Sequence, residues 1–118
     1  MRWMLLVPAL LLPPSLQAQA PARTLTELKA FYAAHCVKCH GADGSARTPD
    51  GKKLGGFDFT DAKQATKKTE AEQVKTIRKG ILFGLVMPSF KDRLTEGDIE
   101  LLVQEVLRKA ETGKVIAP

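Results

Sequence analysis

The feature that most constrains this chain is the run Cys36-Val37-Lys38-Cys39-His40. Two thiols three residues apart, followed directly by a histidine, form the attachment signature of a c-type haem. On one helical turn, residues i, i+3 and i+4 project from a single face. Cys36 and Cys39 can therefore add to the two vinyl groups of a protoporphyrin while His40 reaches the iron from the same side. These are the only two cysteines in the chain, so no other thiol competes for the role.

The redox setting agrees with that use. Arg2 precedes an apolar run at residues 3–12, Pro13 and Pro14 break it, and Ser15-Leu16-Gln17-Ala18-Gln19-Ala20 supplies small residues for cleavage. This reads as an export signal over residues 1–20, cut after Ala18 or Ala20. The alternative is an uncleaved anchor, but the apolar run is well short of the roughly 20 residues a spanning helix needs. The mature domain, residues 21–118, has the size of one small domain. It is expected in the periplasm with no membrane span after cleavage. In an oxidising compartment a cysteine pair usually suggests a disulfide, yet a bridge across two intervening residues closes a tiny loop and stabilises little. Haem capture is the better use of the pair.

The formal charge is +5, and a basic exported protein is steered towards acidic protein partners or anionic surfaces. Lys38, Lys52, Lys53 and Lys91 are candidates to ring a docking face, with a plain solvated lysine surface as the alternative. Lys67, Lys68, Lys75 and Lys79 are expected on the outer surface near the second helix. No nucleic-acid motif is present, so nucleic acid is not an expected partner.

Three helix starts share one signal, a threonine followed three residues later by an acid: Thr24 with Glu27, Thr69 with Glu72, Thr95 with Asp98. The first helix should run from about residue 25 into the Cys segment, with Leu28, Phe31 and Tyr32 on its apolar face. The second, near residues 71–79, sets Val74, Ile77 and Ile81 at helical spacing, and Gly80 is suited to end it. The third places Ile99, Leu102, Val103, Val106 and Leu107 on one stripe and should stop at Gly113. A short turn near residues 61–68 is a fourth candidate. No alternating strand pattern is visible, so the domain should be all-α.

Between residues 41 and 68 lie five glycines, one proline and many charges. A compact domain rarely carries so long a connection unless it serves a function, and three short helices bury little apolar area. Both points are met if a large flat cofactor completes the core and this segment wraps its edge, anchored by Phe57 and Phe59.

A low-spin electron-transfer haem needs a strong ligand on each face of the iron. Met1 and Met4 lie in the expected signal, which leaves Met87 as the one methionine of the mature chain. His35 adjoins Cys36 on the attached segment and cannot easily cross to the other face. Met87 sits in the apolar stretch Gly84-Leu85-Val86-Met87-Pro88-Ser89-Phe90, where Pro88 stiffens the backbone after the sulfur. A core methionine filling a gap is the alternative. His/Met pairing is the recurring cytochrome solution.

These elements resemble the class I c-type cytochromes of bacteria, the small soluble monohaem type. The resemblance rests on Phe31-Tyr32-Ala33-Ala34-His35-Cys36-Val37-Lys38-Cys39-His40-Gly41, Asp58-Phe59-Thr60-Asp61, Met87-Pro88-Ser89-Phe90 and Thr95-Glu96-Gly97-Asp98-Ile99. It implies a cytochrome c fold: three main helices and long loops around one covalently attached haem c, with the first and last helices crossing nearby. It further implies a monomer with iron ligands His40 and Met87 and one haem edge open for electron exchange. In such proteins a proline carbonyl after the attachment site accepts the proximal imidazole N–H, and Pro49 matches that position by spacing. One departure stands out: Glu105 occupies the place where the last helix often carries an aromatic residue against the first.

The resulting expectation is a one-electron carrier cycling between Fe(II) and Fe(III), not an enzyme, exchanging electrons with redox partner proteins. The alternative is a gas-binding or peroxidase-like cytochrome in which Met87 is displaceable. A zinc or dithiol site from His35, Cys36, Cys39 and His40 is disfavoured. Four ligands so close in sequence cannot easily surround one metal tetrahedrally.

Overall fold

The computed structural model describes residues 20–118, so the expected signal lies outside the described residues apart from Ala20. Helix α1 spans Leu25–His35 and α2 is the single turn Val37–His40. Helix α3 is the short turn Ala62–Ala65, α4 spans Glu70–Lys79 and α5 spans Glu96–Leu102. The last helix continues as a π-helical segment, Val103–Leu107. Two isolated bridges, Arg47 with Lys53 and Ile81 with Met87, are the only β-type pairing among the described residues. None of the described helices is long and apolar enough to cross a membrane.

The three threonine caps form as the spacing predicts. Thr24 accepts the Glu27 amide at 3.1 Å. Thr69/Glu72 and Thr95/Asp98 make complete capping boxes, with side chain and backbone satisfied reciprocally. Asp98 does more than cap. One carboxylate oxygen accepts from the Thr95 amide (3.0 Å), and the other accepts from the Ala22 and Arg23 amides at 2.8 and 2.9 Å. A side chain only 1% exposed thus clasps the segment before α1 to the start of α5.

Helix α1 packs on α5, and α4 packs on α5 and on the π-helical segment. The buried cluster at that junction includes Leu28, Phe31, Tyr32, Ile99, Leu102, Val103 and Val106. Glu105 is half-buried and pairs with Lys109. The aliphatic residues Leu102, Val103 and Val106 occupy the core there, so an aromatic at position 105 is not what closes the crossing.

One residue's placement and one helix end differ from expectation. Ile81 follows the glycine stop of α4 and sits 39% exposed in the next loop. The last helix ends at Leu107 instead of near Gly113, widening to a π turn on the way. Just past that end the Arg108 guanidinium reaches the Lys68 carbonyl (3.3 Å) and the Gln73 side-chain oxygen (3.1 Å), tying the helix end to the start of α4. The tail then straps back over the start of the long middle segment. The Gly113 amide donates to Asp43 Oδ2 and the Ile116 amide to the Ala42 carbonyl, both at 2.8 Å.

The middle segment is tied down by main-chain bonds to the Cys-Cys-His turn. The Ala46 amide donates to the His40 carbonyl (2.7 Å), the Gly56 amide to the Cys39 carbonyl (2.8 Å), and the Phe59 amide to the Gly44 carbonyl (2.8 Å). Its polar backbone is thereby satisfied without a sheet.

Candidate haem-attachment site

The turn α2 follows α1 with a break at Cys36, whose amide still donates to the Tyr32 carbonyl at 2.9 Å. The His40 amide donates to the Cys36 carbonyl, also at 2.9 Å, so the motif keeps its helical turn. Gly41 ends it with φ 79°. A side chain there would place its Cβ 2.9 Å from the Arg47 carbonyl oxygen, so glycine is required. The buried Tyr32 hydroxyl donates to the Gly41 carbonyl at 2.7 Å, which anchors the end of the motif to α1. Burial holds the Tyr32 phenol well above its ordinary value, so it stays a donor.

Both cysteines are free thiols. Burial, reinforced by the neighbouring charge of Cys39, pushes the Cys36 thiol up to about 12. At neutral pH it is protonated and inert by itself.

His40 is fixed on two sides. Its ring stacks on Phe59 at 4.8 Å between centroids and 25° between planes. Its Nδ1 lies 3.0 Å from the Phe57 carbonyl oxygen. Burial lowers the imidazole pKa, and the Phe57 bond offsets that only in part, so the ring is neutral. A carbonyl can only accept, hence Nδ1 carries the proton and Nε2 is left with its lone pair.

The assignment of this partner to Pro49 is therefore corrected. Pro49 is exposed in the turn at residues 48–52, closed by the Thr48 amide to the Lys52 carbonyl at 2.9 Å. Gly56 lets Phe57 take the position instead. A Cβ at residue 56 would lie 2.4 Å from the Cys39 oxygen and 2.7 Å from His40 Nδ1. Only a residue without one allows that approach.

Cys36, Cys39 and His40 line a cavity of 260 Å³ together with Met87. Phe57, Phe59, Ile77, Ile81, Val86, Pro88 and Phe90 make most of the remaining wall apolar. Packed cores carry few voids larger than a water molecule, so a cavity of this size and lining calls for a large apolar ligand. The donor set suits the group: two thiols for covalent attachment, an imidazole with a free nitrogen and a thioether. Polar lining residues other than His35 gather on or just before α4, namely Lys68, Gln73 and Thr76. Arg108 occupies the Gln73 oxygen, which leaves its amide N–H₂ as a donor. These groups suit the acidic edge of a porphyrin.

Lys68 is exposed, as expected of the outer surface, and also lines the cavity. Lys38, Lys52, Lys53 and Lys91 are not among its lining residues. The Lys68, Gln73, Arg108 grouping carries no sequence signal, since its members lie up to 40 residues apart. His35 also reaches the cavity wall, its ring tilted 43° against Phe31 at 4.4 Å between centroids, with Arg93 Nη1 3.3 Å from its Nδ1.

Comparison with known proteins agrees with this geometry. The family model for cytochrome c oxidase, cbb3-type, subunit III matches residues 23–104. Among solved structures the chain is similar to the KustC0563 c-type cytochrome, with 29% identity and a TM-score of 0.56, covering 70% of this chain and 95% of that one. A tyrosine-to-phenylalanine mutant of Kustc0563 is similar at 28% identity and a TM-score of 0.55, with the same coverage. No curated protein sequence matches the chain. With the match spanning well over half of its length, the chain belongs to the cbb3-type cytochrome c oxidase subunit III family and is an all-α c-type cytochrome, a carrier of electrons.

Proposed function

We propose that this is a periplasmic monohaem carrier, exported by a cleaved signal, that passes single electrons between redox partner proteins and catalyses no reaction of its own. One haem c would be held by thioethers from Cys36 and Cys39, with His40 and Met87 as the axial ligands. When bound, the haem supplies one-electron Fe(III)/Fe(II) chemistry. The observation that carries this reading is the cavity shared by the Cys-Cys-His turn and Met87, the one methionine among the described residues.

The chain's own residues serve such a role in three ways. Phe57 sets the tautomer and orientation of His40, which makes its free nitrogen a better ligand. Phe59, Ile77 and Phe90 keep the lining apolar and exclude water. Gly80 lets the Met87 loop close in: a Cβ there would lie 2.5 Å from the Met87 carbonyl oxygen, so only a residue without one allows this approach. The net positive charge favours partners with acidic docking surfaces, and a single carrier domain of this kind works as a monomer.

Optical spectra of the exported protein, oxidised and reduced, test the reading beside Met87→Ala. The expected result is denaturation-resistant haem with a low-spin spectrum, and loss of the methionine–iron charge-transfer band in the variant. A high-spin wild-type iron that binds carbon monoxide readily would overturn it.

A further inference from the structure

Among the described residues, five of the six exposed large hydrophobics belong to one segment: Ile81 (39%), Leu82 (63%), Phe83 (104%), Leu85 (87%) and Val86 (57%). The segment is an ordered knob. Leu82, Phe83 and Gly84 take φ of 50°, 54° and 85° in succession, an uncommon run that turns the chain sharply. Its amides are largely satisfied inside it. Ile81 donates to the Met87 carbonyl, Gly84, Val86 and Met87 donate to Ile81, and Leu85 donates to Leu82.

We propose that this knob is a shallow membrane anchor, which inserts Leu82, Phe83 and Leu85 into the interface of an anionic bilayer. Chemistry favours a lipid surface over a protein. Residues 81–88 carry no polar side chain apart from the Met87 thioether, whereas protein interfaces need a hydrogen bond every 100–200 Å² or so and a polar rim. A convex apolar tip with internally bonded amides meets the demand that a lipid phase makes of a backbone.

The charge around its stem is complementary to anionic headgroups. The stem's two arms are joined by the Phe90 amide to the Ile77 carbonyl (3.0 Å) and the Ser89 hydroxyl to the Arg78 carbonyl (2.5 Å). They bring Arg78, Lys79, Lys91 and Arg93 to the knob's base against Asp92 and Glu96, a positive balance. Arg78 is engaged with Glu96 at 3.7 Å, while Lys79 and Lys91 pair with no carboxylate among the described residues. Anchoring there would confine the carrier to two dimensions, with the Met87 side of its cavity next to the bilayer.

Flotation of the full holoprotein with lipid vesicles tests this without reading electron transfer, so its outcome is separate from that of the haem ligation. Vesicles of phosphatidylcholine with about 30% phosphatidylglycerol, at about 0.1 M salt, are compared with pure phosphatidylcholine. Wild type should float with the anionic vesicles. Phe83→Ser/Leu85→Ser, neither of which lines the cavity, should lower partitioning by roughly tenfold or more with an unchanged visible spectrum. Lys79→Gln/Lys91→Gln should keep the neutral-vesicle level and lose the anionic preference. Wild type that ignores both vesicles overturns the proposal and leaves the knob to a protein partner. A serine variant that floats like wild type overturns it equally.

Discussion

His40 Nδ1 lies 3.0 Å from the carbonyl oxygen of Phe57, seventeen residues further along the chain. That contact decides which imidazole nitrogen holds a proton, and so which one is free to bind iron. It exists because Gly56, wedged between Cys39 and His40, has no side chain to keep the two segments apart.

Substitution at the two adjacent glycines should therefore separate cleanly. Gly56→Ala must move either the Cys39 carbonyl or the His40 ring, and overpacking of this kind typically costs about 1–3 kcal/mol. Gly55 has nothing within 4 Å of its Cβ position, so Gly55→Ala should be near neutral. Urea unfolding gives the stability, and the reduction potential reports the disturbed His40 contact in Gly56→Ala alone.

Tyr32→Phe should destabilise the fold while leaving the haem attached. The Gly41 carbonyl loses its 2.7 Å donor in a buried place, and an unsatisfied buried acceptor costs about 1–3 kcal/mol. Chemical unfolding checks the loss. Haem staining after denaturing electrophoresis checks the attachment, which under the proposed function rests on Cys36 and Cys39 and not on this hydroxyl.

Asp98 predicts a specific acid sensitivity. Burial by itself would raise its carboxyl, but amides of Thr95, Arg23 and Ala22 together outweigh it and hold the group below its ordinary 3.8. The unfolded chain then takes up this proton more readily than the folded one. The resulting stability is full above about pH 3.8 and is lost as pH falls through the lower, folded value. Asp98→Asn should be less stable than wild type near neutrality, with the gap closing as pH drops below 3.8. Unfolding curves at several pH values read it directly.

In the junction of the first and last helices, Leu28→Ala should cost about 2–5 kcal/mol, because Leu28 is fully buried. Glu105→Ala, which removes only a largely solvent-facing pair with Lys109, should cost less than about 0.5 kcal/mol. Thermal melts of the two variants compare the crossing's aliphatic core with the position where an aromatic was expected.

Much of the site is legible in the residues because its signals are local. Cys36, Cys39 and His40 share one helical turn, and the threonine caps work over three residues. The proposed ligand Met87 rests on elimination, as the one methionine among the described residues. Pro49 shows where local reasoning ends: spacing matched it to the role of His40's acceptor, but hydrogen bonding depends on distance in space.

The sequence by itself determined the helical class, the caps and the haem-attachment turn, since each rests on side chains within one or two turns of helix. Only the tertiary structure decided that Phe57 orients His40, that Asp98 clasps the entry of α1 and that Arg108 ties the end of the last helix to Lys68 and Gln73. Those contacts join residues 17 to 76 positions apart. No periodicity encodes them. They arise when close packing brings distant backbone within hydrogen-bond reach, and at Gly56 they arise because a side chain is missing.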